Sequence, residues 1–202
     1  MEMGLTVRDH HYLEAIQFLT ESLGMFQELN ENLWICRTIF LLAQTHAANG
    51  NLAAARSLWE QGLSLAHKEN DKWQIGWGLE GLGDVERLEG HLEQAWELYS
   101  ESLKLRVEVT DKIGLAYALE ALAQLAAAQE EFKRGTMLCS AAEKLLQTLN
   151  LLLDPARQEL HTSLITTART HLGEDVFIPA WLEGQAMKIQ QIIEFALSPS
   201  AE

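Results

Sequence analysis

A period of forty residues runs through this chain of 202 residues. Asn30, Asn70, Thr110 and Asn150 stand forty apart, and the first three are each followed by an acid, Glu31, Asp71 and Asp111. Each such pair predicts a helix start. A short polar side chain at the N-cap accepts a bond from an orphan amide, and an acid beside it suits the positive end of the helix dipole. Midway between these marks, Asn49-Gly50-Asn51, Glu89-Gly90-His91 and Gln129-Glu130-Glu131 fall at equal offsets, the first two with a glycine suited to a helix C-terminus. Each repeat therefore reads as two helices and two short turns, a unit that buries its apolar face only against a neighbour.

Between the turns the apolar residues keep helical spacing. Ile39, Leu42 and Ala43 in the first copy become Leu79, Leu82 and Gly83, then Leu119, Leu122 and Ala123. Twelve residues on, a small position is filled by Ala55, Ala95 and Gly135. Four later comes a larger one, Trp59, Tyr99 and Cys139, and three further another small one, Gly62, Ser102 and Ala142. Small residues let helices approach closely, and large ones fill the gaps beside them. This order resembles the tetratricopeptide repeat, a helix-turn-helix unit, over residues 31–150. The resemblance implies an all-α fold, a right-handed solenoid of antiparallel helix pairs. The family's usual repeat is about 34 residues. The distance between the small positions of helix A and helix B is kept here, so the extra residues fall near the B-to-A junction, lengthening the helices by about one turn. The proline that often closes helix B is absent from all three copies.

The predicted organisation is residues 1–30 as half a repeat, 31–70, 71–110 and 111–150 as three full repeats, and 151–202 as capping helices. In the half repeat, Tyr12, Ala15, Phe18, Leu19 and Leu23 stand forty before Leu52, Ala55, Leu58, Trp59 and Leu63, so residues 10–29 are a B helix without its A helix. A solenoid end normally carries a polar cap. Its absence predicts a fragment of a longer chain that self-associates through this first helix. Beyond Asn150 the period lapses. Asp154-Pro155 predicts an N-cap and N1 pair, and Leu160, Leu164, Ile165, Ala168 and Leu172 form a stripe stopped by Gly173. Two short closing helices follow, and the residues from Pro199 onward are expected to fray.

The run Leu172-Gly173-Glu174-Asp175 to Ala180-Trp181-Leu182-Glu183-Gly184-Gln185-Ala186-Met187, closing with Ile192-Ile193 and Ala196-Leu197, is similar to the end of the helical-repeat region in bacterial signal-transduction ATPases, including LuxR-type transcriptional regulators. This resemblance implies a sensor region that follows a nucleotide-binding domain and holds it inactive. Lys188 stands where that pattern tends to have a serine or threonine N-cap.

Charge and composition exclude several functions. A net charge of −14 repels phosphate backbones and anionic lipid, which argues against direct nucleic-acid or membrane binding. The longest apolar runs are too short to cross a bilayer, and the opening residues lack the pattern of a secretory signal, so a cytoplasmic location is expected. Gly76, Gly78, Gly81 and Gly83 are not a phosphate loop: forty residues on, the same positions are alanines, as close helix packing requires. Seven scattered histidines offer no i, i+4 pair and no HExxH, so no metal or other cofactor is expected. Cys139 reads as a small core hydrophobe, and no base is evident beside either cysteine or any serine. Glu80 and Asp84 share a helix face as a solvated or peptide-facing pair, and Glu93, Glu97 and Glu101 form an exposed acidic ridge. The chain is read as non-catalytic.

Tetratricopeptide-like solenoids hold partners on the concave side, lined by A helices. Through the repeat register that side presents Arg37, Phe40 and Gln44, then Trp77, Glu80, Asp84 and Arg87, then Tyr117, Glu120 and Gln124. Flat groups flanked by carboxylates suit a protein or peptide with apolar anchors and basic residues. The same carboxylates repel the acidic tails that carboxylate-clamp co-chaperones hold. The partner is thus an external segment or an N-terminal ATPase domain of the same protein; the competing reading is a free-standing scaffold.

Overall fold

The computed structural model describes residues 7–153 and 155–198 and is all-helical there, with no strand. The ten helices are α1 Val7–Glu28, α2 Asn32–Ala48, α3 Leu52–Lys68, α4 Lys72–Glu89, α5 Leu92–Glu108, α6 Lys112–Ala128, α7 Phe132–Thr148, α8 Pro155–Leu172, α9 Glu174–Ala186 and α10 Ile189–Leu197. Among the described residues no helix is long and apolar enough to cross a membrane. Asp154 and the residues from Pro199 onward lie outside the described residues.

The turns repeat because their backbone does. Asn30, Asn70, Thr110 and Asn150 all have φ between 54° and 56°, and Gly50, Gly90 and Glu130 share the left-handed region at 79°, 86° and 63°. This corrects the predicted caps by one residue. Asn70 closes α3 in the left-handed conformation, which asparagine tolerates better than most residues. Its N–H donates to His67 O at 3.1 Å and that of Asp71 to Ala66 O at 3.0 Å, so two orphan carbonyls are satisfied. Asp71 is the N-cap of α4, its Oδ1 accepting from the amides of Trp73 and Gln74 at 3.0 and 3.1 Å. Asp111 does the same for α6, accepting from Gly114 N–H at 2.9 Å. One dipeptide thus ends one helix and starts the next. Asp71→Ala is expected to lower stability by about 1 kcal/mol, read in thermal melts as a fall in Tm of about 2–4 °C. An unchanged Tm would show that the carboxylate does not cap α4.

Connections this short fold successive helices back on one another. Each of α1 to α7 packs on the next, and α2, α4 and α6, the first helices of the three predicted repeats, also touch in series and continue to α8. Rings sit in holes left by glycines. A methyl at Gly62 would overlap Phe40, one at Gly81 would overlap Trp59, and one at Gly83 would overlap Tyr99. The small-large-small set of each B helix, Ala55, Trp59 and Gly62 with its two later copies, is buried throughout. Helix α1 differs. Ala15, Leu19 and Leu23, in the same register, are only half-buried, and Phe18 and Met25 are exposed, because α1 packs on α2 with nothing described on its other side.

The last two helices close the opposite end. Helix α9 packs tightly on α7, where a side chain at Gly184 would strike Ser140 and the backbone of Met137. Arg134 of α7 donates to the carbonyls of Phe195, Ala196 and Ser198 at 2.9, 3.1 and 2.7 Å, placing a cation on the negative end of α10. At the start of α10 the Lys188 side chain has no acceptor to offer. Gln191 Oε1 takes the Lys188 N–H instead, at 2.9 Å.

Candidate binding face and a buried polar network

Two adjoining pockets mark the face where α2, α4, α6 and α8 meet. The first, about 280 Å³, is walled by Trp73, Trp77 and Tyr117 over Glu80 and Arg106. The second, about 220 Å³, is bounded by Asp84, Arg87, Glu120 and Gln124. Gln44 and Arg157 line both, so Arg157 stands between them. Eight of the ten residues predicted for this face line one pocket or the other, while Arg37 and Phe40 line neither.

The exceptions have physical causes. Phe40 is fully buried, its ring 4.9 Å from Trp59 and 5.3 Å from Trp77, in the space that Gly62 and Gly78 vacate. It belongs to the core and is not a contact residue. Arg37 lies between two indoles, 5.4 Å from Trp34 and 5.3 Å from Trp73, so its charge is spent on ring faces beside the pocket. Trp77 is half-buried, its ring 5.3 Å from that of Phe40 at 69°, and it lines the pocket.

Glu80 and Glu120 occupy the register of Phe40 and, like it, are buried, at 2% and 4% exposure. Their partners come from α8. Arg157 Nη2 donates to Glu80 Oε1 at 2.6 Å and stacks 4.3 Å above Tyr117. One helical turn later, His161 Nδ1 lies 2.8 Å from Glu120 Oε1. Gln124 Nε2 donates to Leu160 O at 3.1 Å. The chain itself therefore supplies basic residues that the acidic face was predicted to seek from a partner. Glu80 and Asp84 are not a carboxylate pair either, since Asp84 accepts from the Tyr99 hydroxyl at 2.7 Å and lies 3.5 Å from Arg87. Burial, with the nearby charge of Asp84, pushes the Tyr99 hydroxyl well above its ordinary pKa, so it donates as a neutral phenol. The ridge of Glu93, Glu97 and Glu101 is exposed as expected.

In the first pocket, Arg106 is 3% exposed, donates through Nη1 to Asp111 Oδ2 at 2.7 Å and lies 5.2 Å from the Trp73 ring. Arg106 Nε and Glu80 Oε2 have no hydrogen-bond partner among the described residues.

Cys139 is fully buried in the core as read, but a base that the sequence did not reveal stands beside it. Where earlier repeats have Trp59 and Tyr99, the smaller thiol leaves room, and His161 of α8 enters it, Nδ1 3.2 Å from Cys139 Sγ. His161 Nε2 lies 3.1 Å from Glu143 Oε2, and the Trp181 ring stands edge-on at 6.3 Å. Burial alone lowers the His161 pKa, but hydrogen bonds and negative charge from Glu120 and Glu143 outweigh it and raise it above the ordinary imidazole value. Burial, then the same two carboxylates, pushes the Cys139 thiol well above its usual range. The shrinkage at position 139 was the one trace of this network in the sequence. No protein-family model matches this chain, and no curated protein matches it either.

Proposed function

We propose that this chain is a non-catalytic interaction and sensor module, a tetratricopeptide-like solenoid that forms the C-terminal repeat region of a bacterial multidomain signalling ATPase or transcriptional regulator. It binds a protein segment, peptide or ligand on the face shared by its first helices. The pocket of Trp73, Trp77 and Tyr117 is the observation that supports this reading. Its walls suit an apolar or aromatic anchor. Glu80 Oε2 and Arg106 Nε, unsatisfied within the described residues, favour an occupant with one donor and one acceptor, because an unmet buried polar group costs about 1–3 kcal/mol. With Arg157 already on Glu80, the anchor carries more of the recognition than basic residues of the partner do.

Selection of peptides from a random display library on the whole chain, followed by calorimetry, tests the binding face. Trp73 is 40% exposed, so Trp73→Ala removes a wall without opening the core. Selected peptides are expected to bind it at least tenfold more weakly, about 1.4 kcal/mol, with helicity unchanged. Trp77→Ala is expected to weaken them similarly. Binders indifferent to both substitutions would remove the pocket from the function. The multidomain reading is tested by sequencing the native transcript upstream of the Met1 codon, where a frame continuing into a nucleotide-binding domain is expected. Translation beginning at Met1 would leave a free-standing scaffold.

A further inference from the structure

Three helices bring a thiol, an imidazole and a carboxylate to one point. Cys139 on α7, Glu120 on α6 and His161 on α8 are 0%, 4% and 3% exposed, and their sulfur, oxygen and nitrogen lie within 4.8 Å of one another. Two edges of that triangle are short, Sγ to Nδ1 at 3.2 Å and Nδ1 to Oε1 at 2.8 Å. A tetrahedral zinc ion, with bonds of about 2.0–2.3 Å, spaces such atoms about 3.4–3.6 Å apart. The two short edges therefore need to widen by only about half an ångström to match the spacing of zinc ligands.

The other imidazole nitrogen is placed as a metal ligand requires. His161 Nε2 faces Glu143 Oε2 at 3.1 Å. A carboxylate on the far ring nitrogen takes that N–H, fixes the tautomer and leaves Nδ1 as the donor atom. One sulfur, one imidazole and one carboxylate select a transition ion of the zinc type over magnesium or calcium, which take oxygen ligands. Glu143, with a third of its side chain exposed, gives the cluster its opening to solvent.

We propose that Cys139 Sγ, His161 Nδ1 and the Glu120 carboxylate form a three-ligand site for a zinc-type divalent ion, with Glu143 as its outer carboxylate. Binding forms metal–sulfur, metal–nitrogen and metal–oxygen bonds as the hydrated ion sheds water and the thiol proton and any proton on Nδ1 leave to solvent; no electron is transferred. The fourth position is filled by water or the second Glu120 oxygen. The ion would pin α8 to α6 and α7. Glu86, Glu89 and His91 also gather at the surface, but there the Arg56 guanidinium already pairs with both carboxylates, so a fixed cation holds the place. The buried site stands on its own geometry, whatever occupies the binding face.

The test is titration of the whole chain, stripped with chelator, with cobalt(II) and then zinc. One equivalent of cobalt is expected to give a thiolate-to-metal charge-transfer absorption and tetrahedral visible bands, both removed by zinc. Cys139→Ser should abolish the charge-transfer absorption and weaken zinc at least tenfold. Cys36→Ser should leave both unchanged, because Cys36 lies in a different part of the core and donates to Gly62 O. Glu143→Gln should keep the absorption and weaken zinc about 10–100-fold. Should Cys139→Ser fail to fold, X-ray absorption on the zinc-loaded wild-type chain decides, one sulfur scatterer being expected. A cobalt complex without the absorption, a zinc shell of nitrogen and oxygen only, or zinc binding lost in His91→Gln and kept in Cys139→Ser would overturn the site.

Discussion

Replacing Phe40 with alanine is expected to destabilise the protein by about 3–5 kcal/mol. The ring is fully buried against Trp59 and Trp77. Around it Gly62 and Gly78 present backbone, so no neighbouring side chain at those positions can swing in to refill the hole. For a chain of this size, each kcal/mol shifts Tm by about 2–4 °C, and a fall of more than about 6 °C is expected in thermal melts. Urea unfolding should show a lower midpoint. A loss under about 1 kcal/mol would return Phe40 to the binding face where the repeat register puts it.

Arg157→Ala is expected to cost about 3 kcal/mol, at the lower end of the range for broken buried pairs because a fifth of the arginine side chain is exposed. The loss comes chiefly from Glu80, which is 2% exposed in the paired state and is left without its cation. Removing both partners should hurt less than removing one. Glu80→Leu combined with Arg157→Leu is expected to recover most of the stability, and a double-mutant cycle by urea unfolding measures the coupling. If Arg157→Ala changes stability by less than about 0.5 kcal/mol, the pair behaves as a surface ion pair and does not anchor α8. The substitution should also join the two pockets, since Arg157 lines both.

The alternation of helices and turns was legible in the sequence because short-range chemistry governs it. The asparagines were visible but their task was misjudged by one residue. Asparagine is both a good N-cap and a tolerant left-handed residue, and only the backbone angle at Asn70 separates the two roles. The small-large order of the B helices carried through to buried rings over glycines. Register alone did not tell an inner from an outer position on the A helices. Phe40, Glu80 and Glu120 share one register, and their burial depends on what packs over them: glycines for the first, Arg157 and His161 of α8 for the others. Such partners, up to 77 residues away along the chain, leave no periodic mark. The cluster at Cys139 was hidden for the same reason, its members lying on three helices.

The left-handed turns make length a quantity that this architecture changes in whole steps. Asn70 before Asp71 and Thr110 before Asp111 close and open helices with φ of 55° and 56° at the first residue and a capping carboxylate at the second. A cut before Asp71 rejoined before Asp111 sets Asn70 in front of Asp111, and the seam keeps its backbone angles and its cap. Gain or loss of one forty-residue block is therefore silent at the join. A shift of a single residue turns every following side chain of that helix by about 100° and points the rings away from the glycines that receive them.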